Sequence, residues 1–107
     1  MFRRGLYASN QYLKRRGVSE EPEDLTKHDC ILFLTGRTAT SWELHRGRER
    51  PIVEVRGPCS EGSVGFTAQL AREHLGIARM LEFLAKYPSD GAGLGRVLPE
   101  WEAVPAH

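Results

Sequence analysis

The spacing of apolar positions changes along this chain, between a period of two and one of about 3.6 residues, and Gly and Pro stand where it changes. Switching of this kind predicts mixed α/β structure. Ser9 can cap a helix running through Tyr12, Leu13 and Arg16, with Gly17 suited to the left-handed residue that ends it. Ser19, Glu20, Glu21 and Pro22 resemble a second helix start, where proline is tolerated early and the helix dipole favours acidic residues; Leu25 is its expected buried contact. Cys30, Ile31, Leu32, Phe33 and Leu34 form an unbroken apolar run between His28-Asp29 and Thr35-Gly36. That pattern predicts a strand covered on both faces, at the centre of a sheet.

Beyond it, Trp42 and Leu44 alternate with Glu43 and His45, Gly47 marks a turn, and Val53 and Val55 alternate with Glu54 and Arg56, which predicts an antiparallel hairpin. From Ser63 to Leu75, the residues Val64, Ala68, Ala71 and Leu75 recur at helical spacing, Leu70 widens the stripe, and Gly76 stands just past the expected end. Ile77 to Met80 reads as a short strand, Leu81 to Tyr87 as a helical segment stopped by Pro88, and Arg96 to Leu98 as a last strand. Ser89 to Gly95, with three glycines in seven residues, reads as a mobile loop.

A length of 107 residues suits one domain, residues 1–107, and a hydrophobic fraction of 40% is enough for a packed core. The net charge is +1, so no global field supports sequence-independent binding of DNA by this chain itself. The longest apolar run, Cys30 to Leu34, is far short of the ~20 residues of a membrane-spanning helix. Met1 to Arg4 is followed by neither an apolar core nor a small-residue cleavage site, so no secretory signal is expected. Cys30 and Cys59 match no zinc or CxxC spacing and read as reduced thiols, which points to the cytoplasm.

Particular residues add to this order of elements. Ala8, Ser9, Tyr12, Leu13 and Gly17 come first, then Pro22, Asp24, Leu25, His28 and Cys30, then Trp42 and Leu44, then Leu75-Gly76-Ile77-Ala78, and finally Val97-Leu98-Pro99 with Trp101. In this order and at these separations the chain resembles the effector-binding region of LysR-type transcriptional regulators, specifically its second subdomain, over roughly Gly5 to Trp101. The resemblance implies a single Rossmann-like lobe of a periplasmic-binding-protein-like (type 2) effector domain, with a mixed sheet flanked by helices. It implies a sensor rather than an enzyme, without a cofactor, that takes a small anionic metabolite and reaches DNA only through a helix-turn-helix domain absent from this chain. His74, Arg79 and Leu81 depart from the family pattern, standing where a glycine, an apolar residue and a proline are usual. Neither the helix-turn-helix nor the first subdomain precedes Met1, so the chain reads as one lobe of a two-lobed clamp, either cut from a longer regulator or a short reading frame descended from one.

Ligands of open α/β sheets collect at the carboxyl ends of strands. Two segments have that address. Thr35, Gly36, Arg37 and Thr38 follow the buried strand and offer two hydroxyls, an open backbone and a guanidinium able to grip a carboxylate. The matching family loop looks into the interlobe cleft; a polar turn with a solvated arginine is the plain alternative. Ser60, Glu61, Gly62 and Ser63 precede the second long helix, whose free N–H groups favour an anion, although Glu61 would repel one and Ser60 or Glu61 can instead cap the helix.

Other residue patterns carry less. His28 reads as a structural hydrogen-bonding residue, and its pairing with Cys30 as base and nucleophile lacks a third orienting group. The histidines at 28, 45, 74 and 107 have no metal-binding spacing. Arg46, Arg48 and Arg50, with Arg56 nearby, form a basic hairpin tip, either solvated or a contact for DNA phosphates. Tyr7, Tyr12, Phe66, Phe83 and Trp101 read as core or lobe-interface residues. A second functional reading is a truncated interaction fragment that pairs through surfaces normally buried in the regulator, which leaves room for a homodimer.

Overall fold

The computed structural model describes residues 4–35, 37, 38, 40–61, 64–85 and 94–103. Strand β1 (Arg4–Ser9) runs directly into helix α1 (Asn10–Arg16). Ser9 Oγ accepts the N–H of Tyr12 at 3.0 Å, and the Gly17 N–H donates to the Leu13 carbonyl at 2.8 Å, so both ends are closed as the sequence predicts. A 3₁₀ helix, Pro22–Lys27, follows. The Asp24 carboxylate accepts the N–H groups of Glu20 (3.0 Å) and Glu21 (3.2 Å), which holds its pKa below the usual carboxylate value, and Leu25 is fully buried.

The remaining elements are β2 (Leu32–Thr35), β3 (Arg37–Thr38), β4 (Ser41–His45), β5 (Ile52–Glu54), β6 (Cys59–Glu61), α2 (Val64–Arg72), β7 (Ala78–Leu81), α3 (Glu82–Ala85), β8 (Leu94–Val97) and β9 (Glu102–Ala103). Among the described residues the strands form the ladders β7-β1-β8, β3-β2-β6 and β5-β4-β9. The first two are joined by a parallel bridge between Cys30 and Ile77, in which Ile31 N–H donates to the Ile77 carbonyl and Ile77 N–H to that of Asp29, each at 2.8 Å. The result is one mixed sheet in the order β8-β1-β7-β2-β6, in which β7, β2 and β6 are parallel and β1 is antiparallel to both neighbours.

Successive residues of this sheet serve opposite cores, because side chains alternate across a strand. Leu6, Ala8, Cys30, Leu32 and Ile77 belong to a cluster with Tyr12, Leu25, Trp42, Leu44 and Val53. Tyr7, Ile31 and Ala78 belong to a second, with Ala68, Ala71 and Ala85 from α2 and α3. The prediction of a strand covered on both faces therefore holds for residues 30–32. Leu6, Leu25 and Leu44, at most 1% exposed, contribute about 1.5–3 kcal/mol each.

Two glycines permit the close packing at the entrance to β2. A β-carbon on Gly57 would collide with the backbone of Cys30, and one on Gly76 with the carbonyl of Asp29. The strand is flanked there by bare backbone on both sides, which lets Cys30 N–H donate to the Arg56 carbonyl at 2.9 Å.

Several expectations are corrected. β1 has no counterpart in the sequence reading; it is short and carries a glycine. Helix α2 stops at Arg72, and Leu75 is 44% exposed instead of completing the apolar stripe. The left-handed residue that closes the helix is His74 (φ 68°), two positions before Gly76 (φ 156°): His74 N–H donates to the Ala71 carbonyl and Leu75 N–H to that of Leu70, the paired bonds of a Schellman ending. Leu94 and Gly95, expected in a loop, belong to β8, since they pair with Ser9 and Ala8 of β1. Leu81 closes β7, so the short helix starts at Glu82. Residues 86–93, which include Tyr87, Pro88 and the rest of the expected loop, lie outside the described residues.

Candidate functional site

The carboxyl end of β2 meets that of β6. In their parallel register Leu32 is opposite Cys59, Phe33 opposite Ser60 and Leu34 opposite Glu61. On its other side β2 is joined by β3, which turns straight back, so that Thr35 is opposite Arg37 and Leu34 opposite Thr38. The backbones of Thr35, Arg37, Thr38, Ser60 and Glu61 are thereby brought to one edge of the sheet. Gly36, Gly62 and Ser63 lie outside the described residues. Ser60 and Glu61 are ladder residues of β6, and the described part of α2 begins at Val64. Sequence reasoning missed β3 and β6 because neither carries an apolar alternation of its own; β6 is recruited by pairing, as Leu32 N–H donates to the Pro58 carbonyl at 2.8 Å.

A polar cluster fixes the other end of β2. Tyr12 Oη lies 2.9 Å from His28 Nδ1 and accepts the Asp29 N–H at 3.0 Å. Arg16 donates to the Asp29 carboxylate at 3.0 Å and to the Lys27 carbonyl at 2.7 Å. Arg15 and Arg16 each stand over the Tyr12 ring, 5.5 and 5.8 Å from its centroid. Burial, with the nearby charge of Arg16, lowers the His28 pKa against the opposing pull of Asp24 and Asp29, and burial raises that of Tyr12. His28 is therefore a structural hydrogen-bonding residue, as its sequence position suggested.

Cys30 is fully buried and its Sγ faces the Leu25 carbonyl at 3.8 Å. Burial pushes its pKa up to about 12, so it is a packed thiol and not a nucleophile. No group of three or more His, Cys, Asp or Glu able to hold a metal occurs among the described residues. Tyr7, Tyr12 and Trp101 are buried as expected.

The hairpin tip is partly accounted for by local contacts. Arg46 donates to both carboxylate oxygens of Glu49 (3.0 and 3.1 Å) and to Glu100 (3.3 Å), and its guanidinium stacks 4.3 Å above the Trp101 ring centroid. This engagement argues against Arg46 as a contact for phosphate, while Arg48, Arg50 and Arg56 are exposed. A groove of about 350 Å³ beside it is lined by Glu20, Glu21, Glu23, Arg46, Glu49 and Trp101 among others, none of them a residue of the β2–β6 edge. No helix among the described residues is long and apolar enough to cross a membrane.

Residues 2–107 match the family model described as the LysR substrate binding domain. The chain is 27% identical over 100 residues to the probable HTH-type transcriptional regulator LtrA of Klebsiella pneumoniae, covering 94% of this chain and 32% of that protein. It is 31% identical over 100 residues to the HTH-type transcriptional activator TtdR of Escherichia coli K12, covering 92% of this chain and 32% of the activator. It thus spans about a third of the regulators it matches. Among solved structures, the regulatory domain of AphB from Vibrio vulnificus aligns with a TM-score of 0.78 at 26% identity, over 96% of this chain and 51% of that one. The regulatory domain of CrgA from Neisseria meningitidis, at 21% identity over 95% of this chain and 54% of that one, shares the fold with a TM-score of 0.75. The matched proteins are named as transcriptional regulators, and the matched family is a regulatory one rather than a family of enzymes. On its match over residues 2–107, with the mixed sheet and its two cores in agreement, this chain belongs to the LysR substrate-binding domain family.

Proposed function

We propose that the chain is a small-molecule sensing lobe of a LysR-type transcriptional regulator, taking its effector at the edge that comprises Thr35, Gly36, Arg37 and Thr38 with Ser60, Glu61, Gly62 and Ser63. The observation that carries this reading is the parallel register of β2 and β6, with Leu34 opposite Glu61 just ahead of α2. Open α/β sheets receive ligands at such edges. The effector in this reading is a small anionic metabolite, because Arg37 supplies a guanidinium and the N-terminus of α2 follows the same edge. Binding closes this lobe against a partner lobe and repositions helix-turn-helix domains outside these residues, in a cytoplasmic regulator.

Amide NMR tests it. The chain is titrated with a pool of small organic acids at millimolar concentration, and the resonances of Thr35, Gly36 and Ser63 are expected to move. If those resonances stay fixed while sedimentation shows a dimer without ligand, the chain is an interaction fragment and the sensing proposal fails.

A further inference from the structure

We infer that the acidic groove beside the hairpin tip binds a small, extended polycation of the aliphatic polyamine class. The groove shares no residue with the β2–β6 edge, so the inference is independent of the effector reading above.

Two hollows meet here. One, of about 350 Å³, is lined by Glu20, Glu21, Glu23 and Glu49 with Pro22 and Pro51. The other, of about 270 Å³, is lined by Ser19, Leu98, Pro99 and Glu100, and Glu20, Arg46 and Trp101 line both. Together the linings carry five carboxylates and one guanidinium, on a chain whose net charge is +1. That guanidinium is already engaged by Glu49, Glu100 and the Trp101 ring. Among the described residues neither the Glu20 nor the Glu23 carboxylate has an ion-pair partner. Asp24 meanwhile pins the backbone of this stretch by accepting the N–H groups of Glu20 and Glu21. Like charges gathered along one groove leave a negative potential that an incoming cation relieves.

A second observation is independent of charge. Ser19 is only 5% exposed and lines the smaller hollow, yet among the described residues its Oγ has no hydrogen-bond partner. A buried hydroxyl left in that state carries an uncompensated desolvation cost, which an ammonium N–H donating to it removes.

The walls decide which cation fits. No group of three or more acidic, His or Cys residues able to hold a metal occurs among the described residues, so the carboxylates are too spread for one compact ion. Pro22, Pro51, Pro99, Leu98 and the Trp101 ring give apolar wall on which methylenes between charges can lie. A volume of about 350 Å³ lies in the range of small-molecule sites, which favours a polyamine in solution over a lysine-bearing segment of a partner protein.

The experiment titrates the chain with spermidine, with trilysine and with magnesium chloride, all at the same low ionic strength. The amides of Ser19, Glu20, Glu23 and Glu49 and the Trp101 indole Nε1–H are followed by NMR. Spermidine is expected to give saturable shifts, trilysine to bind more weakly, and magnesium to leave these resonances in place. A Glu20→Gln/Glu23→Gln variant is expected to weaken spermidine by about tenfold or more, and Ser19→Ala by about tenfold, the loss of one charged hydrogen bond. Glu73→Gln, which alters a carboxylate outside both hollows, is expected to bind spermidine unchanged. Thermal melts confirm that each variant folds; if Ser19→Ala does not, the double glutamine variant, which changes only exposed side chains, decides the matter.

Magnesium reproducing the spermidine shifts would reduce the groove to diffuse counterion attraction and overturn the inference. Trilysine binding more tightly than spermidine would make it a docking groove for a basic peptide and overturn the polyamine assignment. Unchanged affinity in the double variant, or no response to spermidine at millimolar concentration, would also overturn it.

Discussion

Tyr12 and His28, sixteen residues apart, meet through a 2.9 Å contact between phenol and imidazole Nδ1 that ties α1 to the entrance of β2. The Asp29 N–H donates to Tyr12 Oη, so the phenol joins both the backbone and the imidazole at the start of β2. Tyr12→Phe keeps the ring and leaves two buried or half-buried polar groups without their partner. Urea denaturation is expected to show a loss of about 1–3 kcal/mol.

The same pair makes stability depend on pH. The folded His28 pKa lies below its ordinary value of 6.5, chiefly through burial and then through Arg16. Below that ordinary value the unfolded chain takes up a proton before the folded chain does, so this group's contribution is intact above pH 6.5 and is lost as the pH falls through it. Unfolding midpoints measured from about pH 7.5 down to about pH 5.5 should fall, and His28→Gln should flatten that part of the curve.

Gly57→Ala and Gly76→Ala should each cost about 2 kcal/mol or more, since the new β-carbon meets backbone that cannot rotate away. Gly17 also has positive φ (87°), but nothing lies within 4 Å of its β-position. Gly17→Ala should cost about 1 kcal/mol, the conformational penalty alone. Thermal melts of the three variants check the order.

Cys30 should resist thiol reagents in the folded state, given its burial and a pKa pushed up to about 12. In a Cys59→Ser background, labelling should proceed only as fast as the chain unfolds and become rapid in urea. Prompt labelling under native conditions would contradict the packing described for this thiol.

His74 ends α2 in a left-handed conformation and its Nδ1 lies 2.7 Å from Ser9 Oγ. His74→Gly loses that contact and relieves the backbone, whereas His74→Ala loses the contact and keeps the strain. The alanine variant should therefore be the less stable of the two by about 1 kcal/mol in denaturant titrations.

Much of this architecture is legible in the residues. Ser9 and Gly17 bracket α1, Leu25 anchors the 3₁₀ helix, and the continuous run from Cys30 announces a strand buried on both sides, because such signals are local in the chain. What escaped was built by distant partners. β1 holds together through pairing with β7 and β8, and β6 through pairing with β2. The Schellman ending falls on a histidine rather than a glycine because Ser9, far off in sequence, holds the His74 ring. The two candidate segments are legible in sequence from their place after a strand and before a helix, while the meeting of β2 and β6 at one end depends on a register set by distant pairing. Arg79 stood out in sequence as a departure, and the ladder sets it diagonal to Arg4 and near the Trp42 ring.

The interleaved ownership of β1, β2 and β7, where neighbouring residues answer to different cores, has a consequence for how the molecule comes apart. Sliding any of these strands by one step would exchange the tenants of both layers at once. Neither layer can melt by itself, and calorimetry should record a single sharp endotherm in which the helical side and the hairpin side are lost together.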